Sequence, residues 1–239
     1  MLTDIQLSQI MRNAAPAKCQ SFLAPLNEAM RKHGITSLQR TAAFIAQLAH
    51  ESGEFRYMEE LWGPTAAQKR YEPSCDLAKR LGNMQAGDGR RFKGRGPIQI
   101  TGRFNYKKYG DLLAIDLIAQ PDRAATPEIG FATAGLFWER NGLNELADAG
   151  NLKEITRRIN GGQNGAAERE RFYEIAKQVL VSAFASGGGS ANCDMPAAAR
   201  GAGAAAQALS AFGRGYEEVK KRKRSAAPAG GKSLRKTVR

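Results

Sequence analysis

A chain of 239 residues that is 42% hydrophobic has enough apolar content for one sizeable core, and its most apolar run, Leu112 to Ala119, is short and broken by Asp116, which argues against a membrane span. Its net charge of +13, from 36 Lys and Arg against 23 Asp and Glu, favours anionic partners such as nucleic acid, acidic membrane surfaces or bacterial envelope polymers. Cys19, Cys75 and Cys193 are scattered, no CxxC occurs, and only His33 and His50 offer imidazole, so neither a disulfide framework nor a Cys/His zinc site is expected.

The start, Met1-Leu2-Thr3-Asp4-Ile5, has no basic n-region and no apolar h-region, so the chain reads as made in the cytoplasm without a secretory signal. Phe22, Leu23, Leu26 and Met30 recur at helical spacing, with Gly34 as a stop. Thr36-Ser37-Leu38-Gln39 fits a capping box with Thr36 as N-cap. The helix that follows puts Leu38, Ala42, Ile45, Leu48 and Ala49 on its buried side and ends at Gly53. Glu51 then lies in the last turn, where the negative end of the helix dipole is expected to raise its pKa, as a general acid requires.

Residues 82–97 are rich in glycine and charge, and Ile98-Gln99-Ile100-Thr101 reads as a short strand or an extended turn. Helices are expected over Asn105–Leu113, over Pro127–Arg140 with Thr126 as N-cap, over Leu152–Ile159 and over Ala166–Ala183. Strand signal is sparse, so residues 1–183 read as one mainly α domain. Beyond it, Ser186-Gly187-Gly188-Gly189-Ser190 reads as a linker, and residues 184–239 are expected to be a disordered Gly/Ala-rich tail. About eight of the thirteen excess positive charges fall after Ser186, with eleven basic residues there against Asp194, Glu217 and Glu218. They cluster at Lys220-Lys221-Arg222-Lys223-Arg224 and Arg235-Lys236-Thr237-Val238-Arg239.

The chemistry concentrates between His50 and Tyr106. His50-Glu51-Ser52-Gly53 is followed by Glu59-Glu60, then by Phe92-Lys93-Gly94-Arg95-Gly96-Pro97-Ile98-Gln99-Ile100-Thr101 and Asn105-Tyr106. Two carboxylates and a glycine-punctuated turn with neutral hydrogen-bonding side chains are what glycoside hydrolysis needs: an acid for the leaving oxygen, a base for water, and partners for sugar hydroxyls. Glu54 and Glu59 compete with Glu60 for the second role. His-Glu-x-x-His fails because position 54 is Glu, no Gly-Lys-Ser/Thr follows Gly94-Arg95-Gly96, and no Gly-x-Ser-x-Gly occurs.

These segments resemble glycoside hydrolase family 19, which holds chitinases and many bacteriophage endolysins. Ile129-Gly130-Phe131-Ala132-Thr133-Ala134-Gly135 running to Trp138, and Ile159-Asn160-Gly161-Gly162, match the family in the same order. The resemblance covers roughly residues 1–183. It implies a lysozyme-like, two-lobed helical fold and an inverting mechanism with Glu51 as acid and Glu60 as base, without metal or cofactor. It places Thr65 near a water-positioning residue, and Gln99, Asn105, Tyr106 and Asn160 at positions that bind sugar or brace the cleft. Lys93 and Arg95 are expected to hold Glu60 ionised. Glu60-Leu61-Trp62-Gly63-Pro64-Thr65 departs from the common Glu-Asn-Leu-Asn-Tyr-Ser, which leaves Glu59 as a rival register and Trp62 as either a sugar platform or a core residue. Chitin and peptidoglycan share a β-1,4-linked N-acetylhexosamine backbone. The expected substrate is peptidoglycan, cut between N-acetylmuramic acid and N-acetylglucosamine by a monomeric endolysin-type enzyme reaching the wall after membrane permeabilisation. Its basic tail would meet anionic envelope polymers, with no specific nucleic acid as partner. A chitinase, and a non-catalytic lysozyme-like binder of envelope or nucleic acid, are the alternatives.

Overall fold

The computed structural model describes residues 1–185, which are mainly helical; the expected linker and basic tail lie outside the described residues. The helices are α1 (Asp4–Ile10), α2 (Pro16–Lys32), α3 (Leu38–Ser52), α4 (Ala66–Lys69), α5 (Asp76–Leu81), α6 (Asp88–Arg91), α7 (Arg103–Leu113), α8 (Pro127–Arg140), α9 (Leu143–Asp148), α10 (Leu152–Asn160) and α11 (Ala166–Ala185), with a 3-10 turn at Pro121–Ala125. Among the described residues the only β pairing is two isolated bridges, Glu59 with Arg95 and Arg95 with Ile100.

α3 is the axis of the fold. Every residue from Thr41 to Ser52 is buried, so the one-sided stripe expected from its spacing understates it: α11 packs along one side and α9 along another. A helix apolar nearly all round is one enclosed by its neighbours. Its N-cap is Ser37, which accepts from the Arg40 amide at 3.2 Å. Thr36 stands one residue too far out for that role, and the expected Thr36–Gln39 capping box does not form. Gly53 closes α3 in the left-handed conformation, as the sequence predicts.

α2 pairs with α8, and their interface holds an aromatic triangle: Phe22, Phe55 and Phe131, with ring centroids 5.4–5.5 Å apart and edge-to-face. Phe44 on α3 meets Trp138 on α8 at 5.2 Å, and the buried indole N–H donates to Asn144 at 2.9 Å. A second, smaller apolar cluster of Tyr71, Leu77 and Leu81, with Trp62 against it, forms around α4 and α5. Thus the lysozyme-like helical fold has one large core and one small one.

The expected helices fall close to their predicted spans. α7 begins two residues earlier at Arg103, α8 matches Pro127–Arg140 with Thr126 accepting from Ile129, and α11 runs on to Ala185. Ile98–Thr101 is a turn rather than a strand, with Gln99 at φ +56° and Arg95 and Ile100 exchanging backbone hydrogen bonds. The turn lies against α8: a Cβ on Gly96 would stand 3.3 Å from the Gly130 Cα, so the two glycines let the backbones meet. No helix among the described residues is long and apolar enough to cross a membrane.

Candidate active site

Because α3 is enclosed, its last turn carries Glu51 inward, to 7% exposure. A buried carboxylate needs a charged or hydrogen-bonding partner, since desolvating it alone costs several kcal/mol. The partner is Arg169, fully buried on the first turn of α11, whose Nη2 donates to Glu51 Oε1. Its Nη1 donates to the Asn164 carbonyl at 2.5 Å, and the same carbonyl accepts from Asn160 Nδ2 at 3.0 Å. Asn160 is therefore tied to Glu51 through Asn164 and Arg169. Beside them the buried His50 places Nδ1 2.9 Å from Glu168.

After Gly53 the chain crosses from the large core to the small one as an irregular strap ending at Glu60. Its far half pairs with the glycine turn: Gly96 donates to Met58 O at 2.8 Å, and the Glu60 amide donates to Gly94 O at 2.8 Å. The Glu60 carboxylate accepts from the Gly94 amide at 3.0 Å and from Gln68 Nε2 at 3.0 Å. Burial pushes its pKa above the ordinary carboxylate value, against the opposing pull of the Gly94 amide, Gln68 and the Lys93 charge.

The neighbouring Glu59 turns the other way. Its carboxylate pairs with Arg95 Nε at 2.8 Å and Lys93 Nζ at 3.2 Å. Glu54, the third competitor, accepts from Asn13 on the far side of the strap. Glu59 thus belongs to an ion-pair network, whereas Glu60 is the carboxylate whose neutral form burial favours.

Arg95 and Lys93 stand differently toward Glu60. The carboxylates that Arg95 binds are Glu59 and Asp122, the latter at 2.5 Å, and Lys93 pairs with Glu59. Lys93 still favours the ionised form of Glu60, but burial outweighs it. Arg95 works as a buried node: Nη1 also donates to the Tyr106 hydroxyl at 2.9 Å and to Arg91 O at 2.8 Å. Tyr106, held protonated by burial, donates in turn to Lys93 O at 2.6 Å. It braces the turn that carries Lys93, Gly94 and Arg95.

Thr65 is the N-cap of α4. Its hydroxyl oxygen accepts from the Gln68 amide at 3.2 Å, and Gln68 Oε1 accepts from the Thr65 amide at 3.0 Å, completing a capping box. That box aims Gln68 Nε2 at Glu60, so Thr65 acts on the carboxylate through Gln68, which sequence reasoning missed. Gln99, Asn105 and Asn160 share one pattern. Each donates its amide N–H to a backbone carbonyl: Gln99 to Gly96 and Tyr57, Asn105 to Thr101, Asn160 to Asn164. Each leaves a buried side-chain oxygen without a partner among the described residues. Such orphaned acceptors are uncommon in folded proteins, and they suit a hydroxyl donor. Trp62 packs on Tyr71 at 6.3 Å in the small core. Among the described residues no three His, Cys, Asp or Glu side chains come together as a metal site.

Arg169 was also missed. In sequence it is one of several charges in Glu168-Arg169-Glu170-Arg171, and only the three-dimensional closure of α11 on α3 singles it out.

The family described as chitinase class I, glycoside hydrolase family 19, matches residues 17–195. A glycosyl hydrolase family 19 domain-containing protein of Haemophilus influenzae is 34% identical over 197 residues, covering 72% of this chain and 94% of its own length. An endochitinase of Arabidopsis thaliana is 36% identical over 172 residues, covering 68% of this chain; the match spans about half, 56%, of that longer plant protein. Among solved structures, chitinase C of Streptomyces griseus superimposes with a TM-score of 0.58 at 24% identity, over 75% of this chain and 92% of its own. The class IV chitinase of Zea mays gives 0.55 at 28%, over 75% and 92%. The family match takes in the chain from α2 onward, and the chain belongs to glycoside hydrolase family 19, as an enzyme that hydrolyses glycosidic bonds.

Proposed function

We propose that this enzyme is an endolysin-type peptidoglycan hydrolase that cuts the β-1,4 bond between N-acetylmuramic acid and N-acetylglucosamine with inversion. The observation that carries the mechanism is the contrast between the two carboxylates at the ends of the strap: Glu51 faces Arg169, whereas Glu60 is set where burial favours its neutral form. Glu51, as the acid, gives its proton to the glycosidic oxygen as the C–O bond breaks. Glu60, as the base, takes a proton from the water that attacks the anomeric carbon from the opposite face. Glu51 must enter the step protonated and Glu60 ionised; the transfer leaves Glu51 as a carboxylate against the Arg169 guanidinium and Glu60 protonated where burial favours the neutral form, so each setting suits the state being formed and not the starting one. The orphaned oxygens of Gln99, Asn105 and Asn160 are the groups proposed to receive sugar hydroxyls or the water that bridges to them.

The net charge of +13 supports an anionic polymer, peptidoglycan with its attached envelope acids, as substrate. Chitin is the second reading, favoured by the activity named for the plant and Streptomyces relatives. The deciding assay is turbidity loss of outer-membrane-stripped bacterial cells beside release of sugars from colloidal chitin, each with wild type and Glu51→Gln. Clearing of cells that disappears in the variant, with little chitin cut, supports the muralytic reading. Chitin cleavage without clearing replaces it with a chitinase, and activity on neither overturns both.

A further inference from the structure

The segment joining the two carboxylates contains an unusual backbone. Gly53, Glu54 and Phe55 have φ of +59°, +58° and +62°, three successive left-handed residues of which two carry a Cβ. A non-glycine residue there is strained and persists only where its surroundings enforce it. Four contacts enforce this one. Phe55 is fully buried between Phe22 and Phe131. Its amide donates to the Ser52 hydroxyl at 2.8 Å. Its carbonyl accepts from Lys18 Nζ at 2.9 Å. The Glu54 carboxylate takes both donors of one residue, the Asn13 amide at 2.8 Å and Asn13 Nδ2 at 2.6 Å.

Asn13 lies in the short connection between α1 and α2, and Lys18 in the first turns of α2. Neither belongs to the glycine turn, the small core or α11. They grip the strap immediately after Glu51, while Gly94 and Gly96 grip it at Met58 and Glu60. A strap fixed at both ends has a set length and a set twist, and those fix where one carboxylate stands relative to the other. We infer that Asn13 and Lys18 are positioning residues for the Glu51–Glu60 pair, acting through the left-handed turn at Glu54 and Phe55; the inference rests on the acid and base roles proposed above.

Releasing the grip relaxes the turn and misplaces Glu51 relative to Glu60, while the glycine turn and Gln99 still hold the far half of the strap at Tyr57, Met58 and Glu60. Misplacement by about an ångström commonly costs 10²-fold in rate. The test compares Asn13→Ala, Lys18→Met and Glu54→Ala with Arg40→Ala, which breaks the remote Arg40–Asp148 pair at the start of α3 and serves as a stability control. Kinetics are measured on soluble oligomers of whichever glycan the wild type cuts, at a temperature well below every variant's midpoint. The expected result is a fall in kcat of roughly 10- to 100-fold for the three strap variants, with KM within about twofold of wild type. Arg40→Ala should keep its kcat at a comparable loss of thermal midpoint. Strap variants that keep wild-type kcat, or lose activity only as the control does, overturn the inference while leaving the proposed function standing. A wild type inactive on both glycans overturns the function and the inference together.

Discussion

Arg169 reaches Glu51 from a helix 118 residues further along the chain, and the two form a buried ion pair in which both partners are almost wholly removed from water. Breaking such a pair from one side leaves an uncompensated charge, at a cost of about 3–5 kcal/mol. Arg169→Ala should therefore lower stability by about that amount and reduce kcat by about 10²-fold or more, since a developing Glu51 carboxylate loses its counter-charge. Arg169→Lys keeps the charge but cannot reach Glu51 and the Asn164 carbonyl together. It is expected to recover much of the stability and little of the rate. Chemical denaturation and steady-state kinetics on the same preparations check both halves.

A second prediction separates the adjacent glutamates. Glu59 is held by Arg95 and Lys93, whereas Glu60 is the carboxylate whose protonation burial favours. Glu60→Gln should reduce kcat by about 10³-fold or more, in line with loss of a base, and Glu59→Gln by about tenfold or less. A substrate with an activated leaving group sharpens the comparison. It needs no proton on the departing oxygen, so Glu51→Gln should regain activity on it and Glu60→Gln should not. A Glu59→Gln enzyme as dead as Glu60→Gln would transfer the base to position 59.

Much of this arrangement was legible in the chain. The apolar run from Ala42 to Ala49 and the glycine after Ser52 located the end of α3, and with it Glu51. The spacing of Pro127 and Thr126 located α8. What could not be read was set by contacts distant in sequence. Nothing in the local pattern distinguishes Arg169 from Arg171, because burial of one and exposure of the other depends on how α11 lies on α3. The resemblance implies that Arg95 supports an ionised Glu60. The strap's pairing with the turn instead brings Glu59 to Arg95, because neighbouring residues in an extended segment face opposite ways. Short helices such as α4 and α6 were missed because four residues carry too little periodicity to register.

Glu60 also makes a prediction about stability and pH. Its carboxyl has a higher pKa in the folded chain than in an unfolded one, so the folded state holds the proton more tightly. Stability from this group is fully present below about pH 4.5, the ordinary value, and is lost as pH rises through the raised folded value. Glu60→Gln abolishes the titration and should therefore raise the thermal midpoint at pH 7 relative to wild type. The gain should shrink as pH falls and be absent near pH 4. Midpoints followed from pH 4 to 7 test the sign. A gain that is the same at all pH values would show that the effect is packing and not charge. Such a trade of stability for reactivity is expected where a base is kept in a desolvated place.

Gly165 gives the last prediction. It has φ +73° and stands at the entry to α11, with the His50 ring and the Arg169 guanidinium closing over it. A Cβ there would lie 2.3 Å from His50 Cε1 and 2.8 Å from Arg169 Nη1, well inside contact distance. Gly165→Ala therefore strains the backbone and pushes on two side chains that flank Glu51 at once. Relief can come from a shift of the Arg169 guanidinium, which breaks its pairing with Glu51, or from rotation of His50 away from Glu168. The expected outcome is a fold that survives with a loss of about 1–3 kcal/mol and a kcat reduced by about 10²-fold. Gly162→Ala, three residues earlier, is the unstrained comparison, since Gly162 is not left-handed and a Cβ there meets nothing within 4 Å. It should leave stability within about 1 kcal/mol of wild type. If Gly165→Ala retained full activity, the close packing of His50 and Arg169 over this glycine would not be what holds Glu51 in place.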